Sequence, residues 1–342
     1  MTDIESIIKK QKSNRVKWGF IWAIICAVLW GLGYIPLTVF WGVTPFADPE
    51  VDYIAASVLI SAFQSIVFGI VLALIWVAVN GKIKEVGKTV KKLAVSKWLF
   101  TGAIFGGPMA LLGTALAIGY IGGAFAASFT LLCAVVGTVL GRLVYKEKLS
   151  IKTIAGIILI LVGCVIILDP QGVIDEISAG GSIIGYIGGI MAAVGFGTEG
   201  IFASRAIDVT DSDSSVIVKY ISESIMWICI AFPISLVIFP GFGDLLVSTI
   251  TSFDFMFWMV IAALSLGMCY VAMYKCYPLI GVGRTVSFTA FYVPVSIVAL
   301  TVFLGQSISM FIIVGAIIAI IGMFVMYWEK DSMADSMREG GE

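Results

Sequence analysis

From Trp18 to about Trp41 the chain runs apolar without a single charge. About twenty helical residues cross the hydrocarbon layer of a bilayer. The run is too long for the apolar core of a signal peptide and lacks a small-residue cleavage site, so it reads as a retained span. Comparable runs follow at about 54–79, 98–120, 123–144, 151–168, 182–205, 215–239, 253–277, 284–304 and 308–328. Inside hydrocarbon every backbone N–H and C=O needs a partner within the protein, and for runs of this length the solution is a helix. The expectation is an all-α integral membrane protein with ten transmembrane helices. Composition agrees: charged residues make up 13% of the chain, against roughly a quarter in soluble domains.

Charge placement tests the count. With ten spans, segments 1–17, 80–97, 142–152, 205–219, 275–284 and 329–342 share one side, and they hold all 21 Lys and Arg residues. Opposite loops carry Asp48, Glu50, Asp52, Asp169, Asp175, Glu176 and Asp244, with no basic residue among them. Lys and Arg concentrate on the cytoplasmic face of membrane proteins. Both termini are therefore expected in the cytoplasm, with the protein in the cell (inner or plasma) membrane.

A second pattern lies over the first. Ile121-Gly122 precedes Ser128-Phe129-Thr130, and 159 residues later Ile280-Gly281 precedes Ser287-Phe288-Thr289. The offset carries Glu147 onto Gln306, Leu149 onto Ile308, Ser150 onto Ser309, Gly156 onto Gly315 and Gly163 onto Gly322. A fixed internal period marks a duplicated unit. The units are read as 18–168 and 182–328, flanked by a basic tail (1–17) and a second tail (329–342). Five spans per unit is odd, so the second enters the membrane upside down. Two inverted five-helix repeats are a common skeleton of alternating-access carriers.

On these features the chain resembles the drug/metabolite transporter superfamily, in particular its ten-span EamA-type members. The carrying residues are Ala27-Val28-Leu29-Trp30-Gly31 in the first span and their echo Ala193-Val194-Gly195-Phe196-Gly197 in the sixth. Tyr145-Lys146-Glu147-Lys148-Leu149-Ser150, leading to Gly156 and Gly163, closes the first unit in the family's manner. Two departures stand out: Gln306 replaces the usual Glu, and Val135 stands where the second unit has Pro294. The resemblance implies a transport function and a cavity lined mainly by spans one, three, four, six, eight and nine. It fixes neither substrate nor direction.

Several classes of chemistry drop out. The chain has no histidine, so imidazole catalysis and His-ligated metals are excluded. All six cysteines fall in apolar runs without metal-type spacing and read as small buried hydrophobes. No P-loop or basic aromatic patch suggests nucleotide or nucleic acid. Asp211-Ser212-Asp213-Ser214-Ser215 lacks the rest of a calcium loop and reads as a helix cap acting through Ser214. No cofactor is expected; the partners are a small-molecule substrate and lipid, with the protein a monomer or homodimer.

Glu199, deep in the sixth span with no basic residue within a turn, is the sharpest functional candidate. Ionisable groups at such depth are costly and usually functional. It reads as a counter-ion for a cationic substrate, as a proton-coupling site, or as both. Trp30 and Tyr34 in span one, Phe129 in span four, Tyr270 and Tyr274 in span eight, and Phe288 and Tyr292 in span nine supply aromatic faces, which attract cations. Glu223 reads instead as a structural partner of Lys219, one turn away. An intramembrane enzyme would need a second ionisable group converging on Glu199, and the apolar spans offer no His and no obvious Asp partner. The combined reading is a secondary transporter for a cationic or zwitterionic amine, choline-like or betaine-like. The alternative is a proton-coupled exporter of amino acids or hydrophobic drugs, with Glu199 as the proton site.

Overall fold

The computed structural model describes residues 3–146, 150–168, 174, 183–306 and 309–327. Glu147, Lys148, Leu149, Asp169, Asp175, Glu176, Ile308 and the tail 329–342 lie outside the described residues. Every regular element among those described is helical. In chain order they are α1 (Asp3–Val39), α2 (Tyr53–Ala78), α3 (Ile83–Lys91), α4 (Leu93–Ile121), α5 (Gly123–Thr130), α6 (Cys133–Tyr145) and α7 (Ile151–Leu168). There follow α8 (Ile183–Ile207), α9 (Ser212–Ile238), α10 (Phe242–Thr251), α11 (Phe253–Ile280), α12 (Val282–Thr289), α13 (Tyr292–Leu304) and α14 (Met310–Tyr327).

Among the described residues seven helices are long and apolar enough to cross a membrane: α1, α2, α4, the α5–α6 pair taken as one, α8, α9 and α11. Shorter apolar helices cover Ile151–Ile167, Phe242–Thr251, Tyr292–Leu304 and Met310–Gly322. Outward faces are apolar too, with Val237 86%, Val302 69% and Phe303 68% exposed. Water would not tolerate such faces together; lipid does. The fold is that of a multi-pass helical membrane protein.

Two elements depart from the sequence expectation. The loop before span eight contains α10, started by Gly241 at φ +79°. The basic segment 80–97 holds α3, which alternates Lys84, Lys88 and Lys91 with Val86 and Val90. The expected cap through Ser214 is also corrected. Asp211 caps α9, its carboxylate accepting from the Ser214 N–H at 3.0 Å, because the residue before the first turn is the one that can reach those free N–H groups.

The 159-residue offset recurs in the backbone. It carries the bounds of α5, α6 and α7 onto those of α12, α13 and α14. Gly122 and Gly281 both stand at the break before the shorter helices, with φ +83° and +82°. Only glycine enters that region freely, which explains the Ile-Gly signature. Lys146 (φ +54°) and Gly305 (φ +64°) form another matched pair of helix ends. α7 and α14 pack backbone to backbone: a Cβ on Gly163 would stand 2.5 Å from the Gly315 carbonyl oxygen, and one on Gly322 2.7 Å from that of Gly156. Small residues allow that approach in membranes.

Among the described residues four helices carry a π-helical insertion: Ala73–Ala78 in α2, Phe105–Leu111 in α4, Trp227–Ala231 in α9 and Ala263–Gly267 in α11. Insertions of this kind collect at functional sites. In α4 the cause is Pro108, which supplies no N–H for the helical ladder. Pro294 causes no such break, since α13 begins two residues before it.

Candidate functional site

The site begins with small residues. α8 carries Gly188, Gly195 and Gly197, and a Cβ on Gly195 would lie 2.6 Å from the Phe105 carbonyl oxygen. This close approach sets α8 against the bent stretch of α4 and brings Glu199 beside Gly106. A Cβ on Gly106 would stand 2.8 Å from both the Glu199 Oε2 and the Glu223 Oε1, and one on Gly107 2.9 Å from the Glu223 Cγ. The bare backbone of Gly106-Gly107 is the floor on which two carboxylates rest.

Between those carboxylates lies Lys219. Its Nζ is 3.4 Å from the Glu199 Oε1 and 3.3 Å from the Glu223 Oε1. Glu199 is 1% exposed, and Lys219 and Glu223 are fully buried. Tyr274 donates to the Glu199 Oε1 at 2.9 Å, and Tyr270 reaches the Glu199 Oε2 at 3.5 Å. The Ser65 hydroxyl lies 2.9 Å from the Glu223 Oε2 and 3.3 Å from the Ser61 carbonyl. Its single proton goes to the closer, charged acceptor. The indole of Trp227, in the π-helical stretch of α9, donates to the Ser65 Oγ at 3.1 Å.

The lysine is held loosely for a buried charge. Ammonium–carboxylate hydrogen bonds run to about 2.7–2.9 Å, and both contacts here are longer. Among the described residues its Nζ has no hydrogen-bond partner. Two rings contain it, Tyr270 at 3.4 Å from the ring centroid and Tyr220 at 4.5 Å. With all three groups ionised, one negative charge is left over. In an interior of low dielectric, a surplus charge attracts a cation or a proton.

Three of the sequence-predicted residues therefore meet: Glu199, Tyr270 and Tyr274. Trp30, Tyr34 and Tyr292 form a stack next to them, with Trp30 on Tyr292 at 4.6 Å and Tyr34 on Tyr292 at 5.9 Å. Trp30 and Tyr270 share the lining of a cavity of about 20 Å³ with Gln64, Phe196 and Met273, room for roughly one water. Phe129 and Phe288 lie elsewhere. Phe129 packs on Gly189 and against Tyr186, with ring centroids 5.7 Å apart. Phe288 packs against Phe20 at 5.1 Å.

Glu223 and Lys219, read from sequence as a pair apart, belong to the same cluster as Glu199. Glu199 has no basic residue within a turn of its own helix, yet Lys219 of α9 stands 3.4 Å from its Oε1. The lysine comes from α9, brought in over the glycine floor. The available signal was the conjunction of two oddities: a Lys–Glu pair inside an apolar run, and Gly106-Gly107-Pro108 inside another.

A second ionic cluster lies where the basic segments gather. Asp213 accepts from Lys82 at 2.6 Å, Lys275 at 2.8 Å and the Trp76 indole at 3.1 Å. Lys82 also reaches Asp211 at 2.7 Å. Partial burial alone would weaken the Lys82 charge. Its hydrogen bonds to Asp211 and Asp213, and their charges, outweigh that and hold its pKa above the usual lysine range. The cluster ties together the end of α2, the start of α9 and α11.

No family model and no curated protein matches the sequence. Among solved structures 26 chains match. One crystal structure superposes with a TM-score of 0.60 at 15% identity, covering 92% of this chain and 98% of the other. At that identity the likeness shows the fold alone.

Proposed function

We propose that this protein is a secondary transporter related to the EamA-type drug/metabolite carriers, built as ten spans in two inverted five-helix repeats. It resides in the inner or plasma membrane with both termini in the cytoplasm. It moves a small organic amine, cationic or zwitterionic, by alternating access. The observation that carries the substrate class is the Glu199–Lys219–Glu223 cluster roofed by Tyr270 and Tyr274. Carboxylates and aromatic faces are the groups that bind an ammonium. The lysine gives a zwitterion's acidic end a partner as well.

The repeat supports alternating access, since helix bounds and backbone breaks recur at one offset. The cavity beside the cluster has room for about one water, so this conformation is a closed one. The Asp213 clasp, on the side carrying the basic segments, is the cytoplasmic gate in this reading. Opening inward requires its release.

The second reading, a proton-coupled exporter of amino acids or hydrophobic compounds, draws on the surplus negative charge, which a proton neutralises as well as a cation does.

A thermal-shift screen of purified protein decides between them. Wild type and Glu199→Gln are scanned side by side against primary amines, quaternary ammonium compounds and amino acids. The amine reading expects an ammonium compound to stabilise the wild type and leave Glu199→Gln unmoved. Equal stabilisation of both proteins by neutral or zwitterionic compounds contradicts it and favours the exporter.

A further inference from the structure

We infer that Lys219 is the chain's own occupant of an ammonium-binding site, and that an external ammonium ligand enters by displacing it. The surroundings of its Nζ are those of a bound ligand. Carboxylates stand on two sides, Glu199 at 3.4 Å and Glu223 at 3.3 Å. Aromatic faces stand on two others, Tyr270 at 3.4 Å and Tyr220 at 4.5 Å. No hydrogen bond among the described residues pins it. A lysine serving only to lock two helices would make short, directed bonds to its carboxylates. This one is caged and not clamped.

Each carboxylate also keeps an anchor of its own. Glu199 is held by Tyr274 at 2.9 Å, and Glu223 by Ser65 at 2.9 Å, itself held by Trp227. The glycine floor at Gly106-Gly107 supports both side chains. The cage therefore outlasts removal of the lysine, and no other charged group among its described contacts substitutes for the ammonium. When the site is empty, the tethered amine balances one carboxylate; when a ligand ammonium arrives, Lys219 yields Glu199 and stays with Glu223 one turn along its own helix. What this exchange accomplishes rests on the carrier reading, where it lets the empty protein close. The site's preference for an ammonium is testable without that reading.

Lys219→Ala removes the atoms of a propylammonium and leaves the Cβ. The experiment titrates n-propylammonium into full-length Lys219→Ala in detergent, following the unfolding temperature, with n-propanol as the uncharged control. Wild type and Lys219→Ala/Glu199→Gln are run in parallel. The expected result is saturable stabilisation of Lys219→Ala by several degrees at millimolar amine. Propanol has little effect, wild type responds at least ten-fold more weakly because its own lysine competes for the site, and the double variant has lost at least ten-fold in apparent affinity. Should Lys219→Ala be recovered folded only when propylammonium is present during extraction, that rescue is itself the positive result. Equal stabilisation by propanol, an equal response of wild type, or failure to recover the folded variant even with amine present overturns the proposal. Because propylammonium need not be transported, failure here leaves the carrier reading standing. Absence of transport in turn leaves the ammonium site standing.

Discussion

Replacing Lys219 by methionine removes one positive charge from between two carboxylates and preserves the side-chain length. At 3.3–3.4 Å and an effective dielectric of about 20, each ion pair contributes roughly 5 kcal/mol of attraction. The facing carboxylate oxygens, each in contact with the same Nζ, lie less than about 7 Å apart and then repel by at least about 2.5 kcal/mol on the same scale. Much of the lost attraction had offset the cost of desolvating the ammonium, so the net destabilisation expected is about 3–5 kcal/mol. The assay is unfolding in detergent, followed by intrinsic tryptophan fluorescence. It compares wild type, Lys219→Met, and Lys219→Met with Glu223→Gln. The double variant leaves a single carboxylate, still held by Tyr274, and regains most of the loss. Lys219→Met as stable as wild type would refute the coupling of these charges, and so would a double variant less stable than the single.

Other perturbations have equally definite outcomes. Gly106→Ala places a Cβ 2.8 Å from both carboxylates and lowers amine affinity at least ten-fold by calorimetric titration, whereas Gly87→Ala, with nothing within 4 Å, leaves it unchanged. Tyr274→Phe deletes the 2.9 Å donor to Glu199 and weakens amine binding by about ten- to hundred-fold, in line with roughly 1.5–3 kcal/mol for a hydrogen bond to a charge. Tyr270→Phe loses only a 3.5 Å contact, keeps its ring and changes binding less. Asp213→Asn releases Lys82 and Lys275 from their shared acceptor. Maleimide labelling of the buried Cys276, next to Lys275, then rises several-fold by mass spectrometry, while that of the exposed Cys229 stays constant. On the pH axis the Lys82 contribution to the clasp follows from its raised pKa. It is complete below the unfolded value of about 10.4 and is lost only as pH rises through the higher folded value. Cys276 protection in wild type is therefore expected to hold between pH 7 and 9.

The sequence displayed the helices because lipid demands long uninterrupted apolar runs, and it displayed Gly122 and Gly281 because a positive φ leaves little choice of residue. It displayed Glu199 because a carboxylate at that depth stands out against Ala, Gly and Phe. What it hid was convergence. Lys219 and Glu223 are neighbours on one helical face, which invites the reading of a closed pair; only the packing of α8 against α4 brings Glu199 to the same ammonium. Phe129 and Phe288 illustrate the opposite limit. They occupy matching positions in the repeat, yet Gly189 and Phe20 absorb them into packing, because an aromatic residue in a membrane helix carries no mark of which neighbour it faces. α10 escaped notice for a simpler reason: ten residues beginning at a glycine turn look like a loop when spans of about twenty set the scale.

The central claim is that the Glu199 cluster carries an amine across the membrane. Counterflow in proteoliposomes tests it most directly, using the amine that most stabilises the wild type: vesicles loaded with unlabelled amine are diluted into a trace of labelled amine. The account predicts transient accumulation of label with wild type and none with Glu199→Gln. Absence of accumulation with wild type despite binding, or equal accumulation with both proteins, would contradict it.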